Sequence, residues 1–290
     1  MGPRGRIGRL FFSGAAAMLI LAGCGPKIER PTRICPGRGN VLDSLSVLRA
    51  RREKAIGLRA NGQCLLSYYD QNGKPKKENF LVRLWMNPPA EFYLQGDVGF
   101  DAKGIVLGSN EREFWLSIRP KEISTYWWGR WAETGSVEKL MISPRAIIEA
   151  VGIAQVDGGD GGNWSLSNEG PFDVLTKRNE RGAIIKKVYA YSCDYTVRKI
   201  EYFDMSGRAG AVAELSRYKE VCEGFSIPTV IKIVRHGSAE KQDSVRVTLE
   251  SVKPESFTEQ RRLAIFTRPE PRGFEHVSRL IGGELVEQPR

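Results

Sequence analysis

Along the first half of the chain apolar residues return at every second position. Phe80, Val82, Leu84 and Met86 fall on one face of an extended segment, and Leu81, Arg83 and Trp85 fall on the other, because successive side chains of a strand point to opposite sides. The alternation predicts a strand over Leu58 to Asp70 and a return strand over Lys77 to Met86. Asn72-Gly73 in "DQNGKPK" supplies a turn that favours positive φ. Asn87-Pro88-Pro89 ends the pair, since proline has no N–H to give to a ladder. Further strands are predicted in "EFYLQGDV", "GIVLGS", "REFWLSI" and "EISTYWWG". A second run follows in "DVLTKR", "AIIKKVYAYSC", "VRKIEYFD", "AVAELSRYK", "SIPTVIKIVR" and "SVRVTLESV". Helical spacing occurs in two places. From Asn40 onward, Val41, Leu42, Leu45, Leu48, Ala55 and Ile56 fall near one helical face, with Arg49, Arg51, Arg52 and Lys54 mostly away from it. "SPRAIIEAVG" has Ser143 to cap, Pro144 for the first turn and Gly152 to close.

No regular alternation of strand and helix is visible, so the sheet is expected to be antiparallel throughout. Some dozen strands cannot lie flat in water; such sheets curl or close. The predicted class is mainly β with a few helices (α+β): a large curled antiparallel sheet forming an incomplete β-barrel covered by helices. Its concave face has to be filled by side chains, a helix or a ligand. Phe114, Leu116 and Ile118 share a face with Trp115 opposite, and Tyr126 and Trp128 oppose Trp127, so neither face of these strands is simply wet. Two explanations stand: a core on one side with a covering helix on the other, or one face lining a cavity for hydrocarbon chains.

The N-terminus has a different pattern. Arg4, Arg6 and Arg9 precede an apolar run from Leu10 to Ala22 that only Ser13 and Gly14 interrupt, a charged region followed by a hydrophobic one. The run falls short of the ~20 residues that a spanning helix needs. Leu21-Ala22-Gly23-Cys24 resembles a bacterial lipobox. The resemblance implies a signal peptide over residues 1–23 and acylation of Cys24 with palmitate-like chains, an anchor of more than one chain and therefore a lasting one. Residues 24–39, with Pro26, Pro31, Pro36, Gly37 and Gly39, read as a flexible tether, and residues 40–290 as a single domain. Gly25 stands where a retention aspartate would hold such a protein at the inner membrane, so the expected location is the inner leaflet of the outer membrane, facing the periplasm.

Charge narrows the partners. The net charge is +10, and removing Arg4, Arg6 and Arg9 leaves 41 basic against 34 acidic residues. The two signs are interspersed, so no stripe reads as a nucleic-acid groove; a basic surface beside anionic headgroups and ordinary solubility both remain open. Cys35, Cys64, Cys193 and Cys222 can pair in three ways in the periplasm. Cys193 with Cys222 is the first candidate bridge, and free buried thiols are the alternative. The only histidines, His236 and His276, are far apart, so no metal site is expected. An enzyme is not expected either: there is no G-x-S-x-G elbow and no phosphate loop, and "GGDGG" around Asp160 occurs once, where a calcium roll repeats.

The order of features from Asn40 to the C-terminus resembles the bacterial lipoprotein carriers and receptors of the LolA/LolB type. The residues that carry the likeness are "RLWMNPPAEFYL", "SNEREFWLSIRP", the "YWWGRW" corner, and "LAIFTRPEPRGFEHV", which is similar to the family's Phe-x-x-Pro ending. The resemblance implies an incomplete barrel whose hollow accepts acyl chains of lipids or lipoproteins, with a role in outer-membrane lipoprotein localisation and no cofactor beyond the lipid on Cys24. It implies cavity and lid residues at Arg83, Phe80, Val82, Leu84, Trp115 and Trp128. Arg83 is the arginine that would bond the helical lid, and Phe100 in "DVGFDAKG" would dip into the bilayer. The alternative reading is a non-catalytic interaction or sensor module with a filled core that binds other envelope proteins.

Overall fold

Among the described residues, Asn40 starts the first regular element. Its side chain accepts from the Asp43 N–H at 2.9 Å and caps helix α1 (Val41–Glu53), which has Asp43 in its first turn and Arg51 and Arg52 in its last, the order that suits the helix dipole. The computed structural model describes residues 33–69, 73–99, 101–120, 123–133, 148–150, 162–204, 206–236 and 242–288. Cys24, Phe100, Asp160 and most of "SPRAIIEAVG" therefore lie outside the described residues; of that stretch, 148–150 are described and helical.

The first run of strands is β1 (Leu58–Tyr69), β2 (Pro75–Asn87), β3 (Glu91–Val98), β4 (Asp101–Ser109), β5 (Glu113–Ile118) and β6 (Thr125–Arg130), followed by a short 3₁₀ turn, Trp131–Glu133. The second is β7 (Trp164–Glu169), β8 (Phe172–Arg178), β9 (Ile184–Tyr191), β10 (Val197–Phe203), β11 (Ala209–Cys222), β12 (Phe225–His236) and β13 (Gln242–Pro254). Helix α2 (Glu259–Phe266) and strands β14 (His276–Ile281) and β15 (Glu284–Glu287) complete the order. Among the described residues the fifteen strands form one sheet, arranged β15-β14-β6-β5-β4-β3-β2-β1-β13-β12-β11-β10-β9-β8-β7. One meander runs outward from β1, the other runs inward to β13, and the two join at the centre through the β1–β13 ladder. The edges, β7 and β15, stay apart, so the barrel is open.

The expectation of antiparallel pairing throughout fails at one place: β14 lies parallel to β6, His276 opposite Thr125. Parallel neighbours need a long crossover. Here α2 and the segment after it carry the chain from β13 at the sheet's centre to its far side, an alternation of strand, helix and strand that eight residues of weakly apolar helix concealed.

The alternating pattern places its apolar half inside. Phe80, Val82, Leu84 and Met86 are buried, whereas Leu81 on the opposite face is 62% exposed. Their neighbours across the ladders, Ala60 on β1, Leu94 on β3 and Val247 on β13, belong to the same core, and so does Leu45 of α1. Gly62 marks a register shift where β1 meets β13. A Cβ there would stand 2.0 Å from the Thr248 carbonyl oxygen, a backbone atom that cannot swing aside. Gly62→Ala is expected to cost about 1–3 kcal/mol, read from the denaturant midpoint; an unchanged midpoint would mean that the two strands can part at no cost.

Candidate functional site: a cavity under the first helix

A hollow lies under α1 on the concave side of the second meander. Its apolar wall comes from Leu48 of α1 together with Trp164 on β7, Val188 on β9, Ile200 on β10, Leu215 on β11 and Phe225 on β12. Flat, these strands would stretch over ~24 Å at ~4.8 Å per step; one cavity touching all of them shows how strongly this half of the sheet curls. The volume is about 120 Å³, small against the ~300–1,000 Å³ of pockets that enclose drug-sized ligands. Most of the concave face is filled by its own side chains.

Charged groups collect at the rim. Arg51 and Arg52 come from the last turn of α1, and Lys186 and Glu149 from β9 and the helical fragment at 148–150. Lys186 Nζ stands 3.3 Å from Glu149 Oε1, their side chains 12% and 4% exposed, and the Tyr202 hydroxyl donates to Glu149 Oε2 at 2.8 Å. A carboxylate this buried is tolerable because it is paired and hydrogen-bonded. Arg51 donates to the carbonyl of Asp194.

Asp194 belongs to the turn after β9, which closes one end of the cavity with Tyr195 and Thr196. Tyr195 sits at φ 56°, in the left-handed region, with its ring buried. Its hydroxyl donates to Asp173 Oδ2 at 2.7 Å. Asp173, fully buried, also accepts from the Arg38 N–H at 2.9 Å and the Asn168 amide at 2.8 Å. Burial, with the neighbouring Asp173, holds the Tyr195 phenol above its ordinary pKa.

The same turn carries the disulfide, which joins Cys193 to Cys35 across 158 residues. The predicted partner of Cys193 was Cys222; that cysteine and Cys64 are free. Cys222 ends β11, two strands away from β9 in the sheet, while the chain before α1 passes directly over the turn. The Tyr191 hydroxyl donates to the Arg33 carbonyl at 2.7 Å and the Ser192 hydroxyl to the Cys35 carbonyl at 3.0 Å. Residues 33–39, read from sequence as the end of a flexible tether, are therefore held to the domain, because prolines and glycines without apolar period left the bridge invisible. Burial pushes the free Cys64 thiol up to about 12, which keeps it protonated and unreactive.

The residues singled out from sequence do not converge. Phe80, Val82 and Leu84 belong to the core of the concave face. Trp115 and Trp128 pack in a second cluster with Val106, Tyr126 and Phe274, on the other side of the sheet. The aromatic residues on that side are covered by the extended segment after α2 and not by a helix. The Tyr126 hydroxyl donates to the Pro269 carbonyl at 2.7 Å, Arg119 stands over the Phe274 ring, and Trp128 lies between Arg268 and Arg279 at 4.1 and 4.8 Å. Burial raises the Tyr126 phenol to about 12. Arg83 faces outward, its side chain 54% exposed, and bonds Asp97 on β3 at 3.0 Å, so its partner is a strand and not a helical lid. Hydrogen bonds from the Gln95 amide and the Lys103 N–H, with Arg83 nearby, keep Asp97 below the usual carboxylate range.

The residues that shape the cavity were missed, Arg51 and Arg52 among them; the only local signal was a pair of basic residues three and four positions after Leu48, in the last turn of α1. Among the described residues no group of three or more His, Cys, Asp or Glu is placed to hold a metal ion.

No family model matches the chain, and neither does any curated protein. Solved structures do. A LolA superfamily protein from Nitrosomonas europaea superposes with a TM-score of 0.51 at 14% identity, over 78% of this chain and 97% of that one. A DUF1329 family protein from Desulfovibrio piger gives 0.51 at 12% identity, over 76% and 95%. At such identities a likeness fixes architecture and carries no residue role across. An open, curled sheet wrapped on an apolar core under an N-terminal helix, matched over nearly the whole of a LolA superfamily structure, gives this chain a LolA/LolB-like fold.

Proposed function

We propose that this protein is a lipid-anchored, periplasm-facing binder that takes an acyl chain of a lipid or lipoprotein into the hollow under α1, without catalysis, and serves outer-membrane lipoprotein localisation. The observation that carries the reading is the apolar cavity between Leu48 of α1 and the concave faces of β9 to β12. Burying a chain there is favourable by ~0.8 kcal/mol per methylene, and α1 can control access because it closes the cavity on one side. The anchor on Cys24 and the outer-membrane location rest on the sequence of the leader. One observation favours a second reading: the concave face is largely filled by its own side chains, as suits an interaction module for another envelope protein.

The test uses the full chain purified from membranes, with all lipids extracted by organic solvent and identified by mass spectrometry. The expected result is a non-covalent fatty chain in amounts comparable to the protein, together with a diacyl modification on the peptide that begins at Cys24. A dry protein that also takes up no added lipid would favour the interaction module.

A further inference from the structure

We propose that the cavity under α1 selects amphiphiles with one apolar chain and an anionic head. This inference rests on the acyl-binding reading and adds to it the class of ligand.

The number of chains follows from size. A hollow of about 120 Å³, below the ~300–1,000 Å³ range of pockets that enclose a drug-sized ligand, admits the end of one chain and not the pair of a diacyl lipid. Its walls, Leu48, Val188, Ile200, Leu215 and Phe225, offer hydrocarbon no hydrogen bond to displace.

The sign of the head follows from the rim. Three cations line the cavity against one carboxylate. The carboxylate, Glu149, is already committed: Lys186 stands 3.3 Å away and Tyr202 donates to it. Asp194, the other acid near the rim, accepts from Thr196 and pairs with Arg198. Arg51 spends one N–H on a carbonyl and has no carboxylate partner among the described residues. Arg52 is half-buried beside the opening and has no carboxylate partner among the described residues. Two guanidinium groups thus stand over an apolar hollow, where water is partly excluded and a carboxylate or phosphate can accept charge-assisted hydrogen bonds. Their place in the last turn of α1 suits the helix dipole, which explains a basic pair at this end of the helix but not its aim into the cavity rim.

The experiment compares four probes on the full chain by calorimetry: dodecanoate, its methyl ester, a single-chain lysophosphatidylglycerol, and vesicles of diacyl phosphatidylglycerol. The two single-chain anions are expected to bind at least tenfold more tightly than the ester, and their relative affinities identify a carboxylate or a phosphate as the preferred head. Arg52→Gln should bring the acid's affinity to within about threefold of the ester's, and Arg52→Lys should restore most of the gap; thermal melts report whether each variant is folded. Equal affinity for acid and ester overturns the charge selection and leaves the acyl site standing. Diacyl vesicles that bind as tightly as the single-chain anions overturn the single-chain limit. A folded protein that binds none of the four removes the acyl-binding reading itself.

Discussion

Asp173→Ala is expected to destabilise the folded protein by about 2–4 kcal/mol, a large effect for one side chain. The carboxylate is fully buried and serves three donors, the Tyr195 hydroxyl, the Arg38 N–H and the Asn168 amide. Removing it opens a buried gap and takes a bond from the buried Tyr195 hydroxyl, while the donors of the exposed Arg38 and Asn168 can be met by water. Gly37 packs closely on the same cluster: a Cβ there would stand 2.1 Å from the Asn168 amide nitrogen and 2.4 Å from the Asp173 carboxylate. Asp173→Asn keeps the volume and one acceptor and should cost about half as much.

The disulfide holds the same segment to the same turn. Cys35→Ser together with Cys193→Ser releases a link across 158 residues, for which about 2–5 kcal/mol is expected. Because both devices clamp residues 33–39, their effects should not add: the triple variant should be less destabilised than the sum, by about 1 kcal/mol or more. Denaturant unfolding of the single, double and triple variants measures this coupling, and strict additivity would show that the bridge and the carboxylate act on separate parts of the chain. The clamp matters for the proposed function, since Cys193 and Tyr195 belong to the turn that ends the cavity. The hollow therefore lies close to residues 33–39, which lead into α1.

Trp115→Ala is the second large effect, at about 3–5 kcal/mol. The indole is fully buried against Gly108, where a Cβ would stand 2.2 Å from its ring, and under Val106, Tyr126 and Phe274. Its Nε1 has no hydrogen-bond partner among the described residues, so packing accounts for its place there. The cluster lies on the opposite side of the sheet from the cavity. Trp115→Ala should therefore lower the unfolding midpoint while dodecanoate binding to the folded variant stays within about twofold of the parent. A loss of binding at temperatures where the variant is folded would connect the two faces and move Trp115 back among the ligand contacts.

Local periodicity settled much of the architecture before any coordinates. The two-residue alternation of Phe80 to Met86 and the corresponding stretches in both meanders identified most strands within a few residues of their ends, because a strand with one buried face writes its register into every second position. The spacing from Val41 located α1, although the helix ends at Glu53, before Ala55 and Ile56, and Leu42 of the expected apolar face is exposed. The weak spots were short elements with few apolar residues. Helix α2 has two arginines and only Phe266 buried, and β7 and β15 show little alternation; their order comes from what packs on them, so their sequences carry little trace of it.

The sequence by itself determined that this chain forms a long run of antiparallel hairpins behind an amphipathic helix, and that so many strands have to curl. Only the tertiary structure decided which groups meet. Cys193 pairs with Cys35 and not Cys222, β14 joins the sheet in parallel, Trp115 and Phe80 fall on opposite sides, and Arg51 and Arg52 come to stand over an apolar hollow. Each of these joins residues far apart in the chain, and periodicity reports only which side of its own element a residue occupies, not what the folded sheet brings opposite.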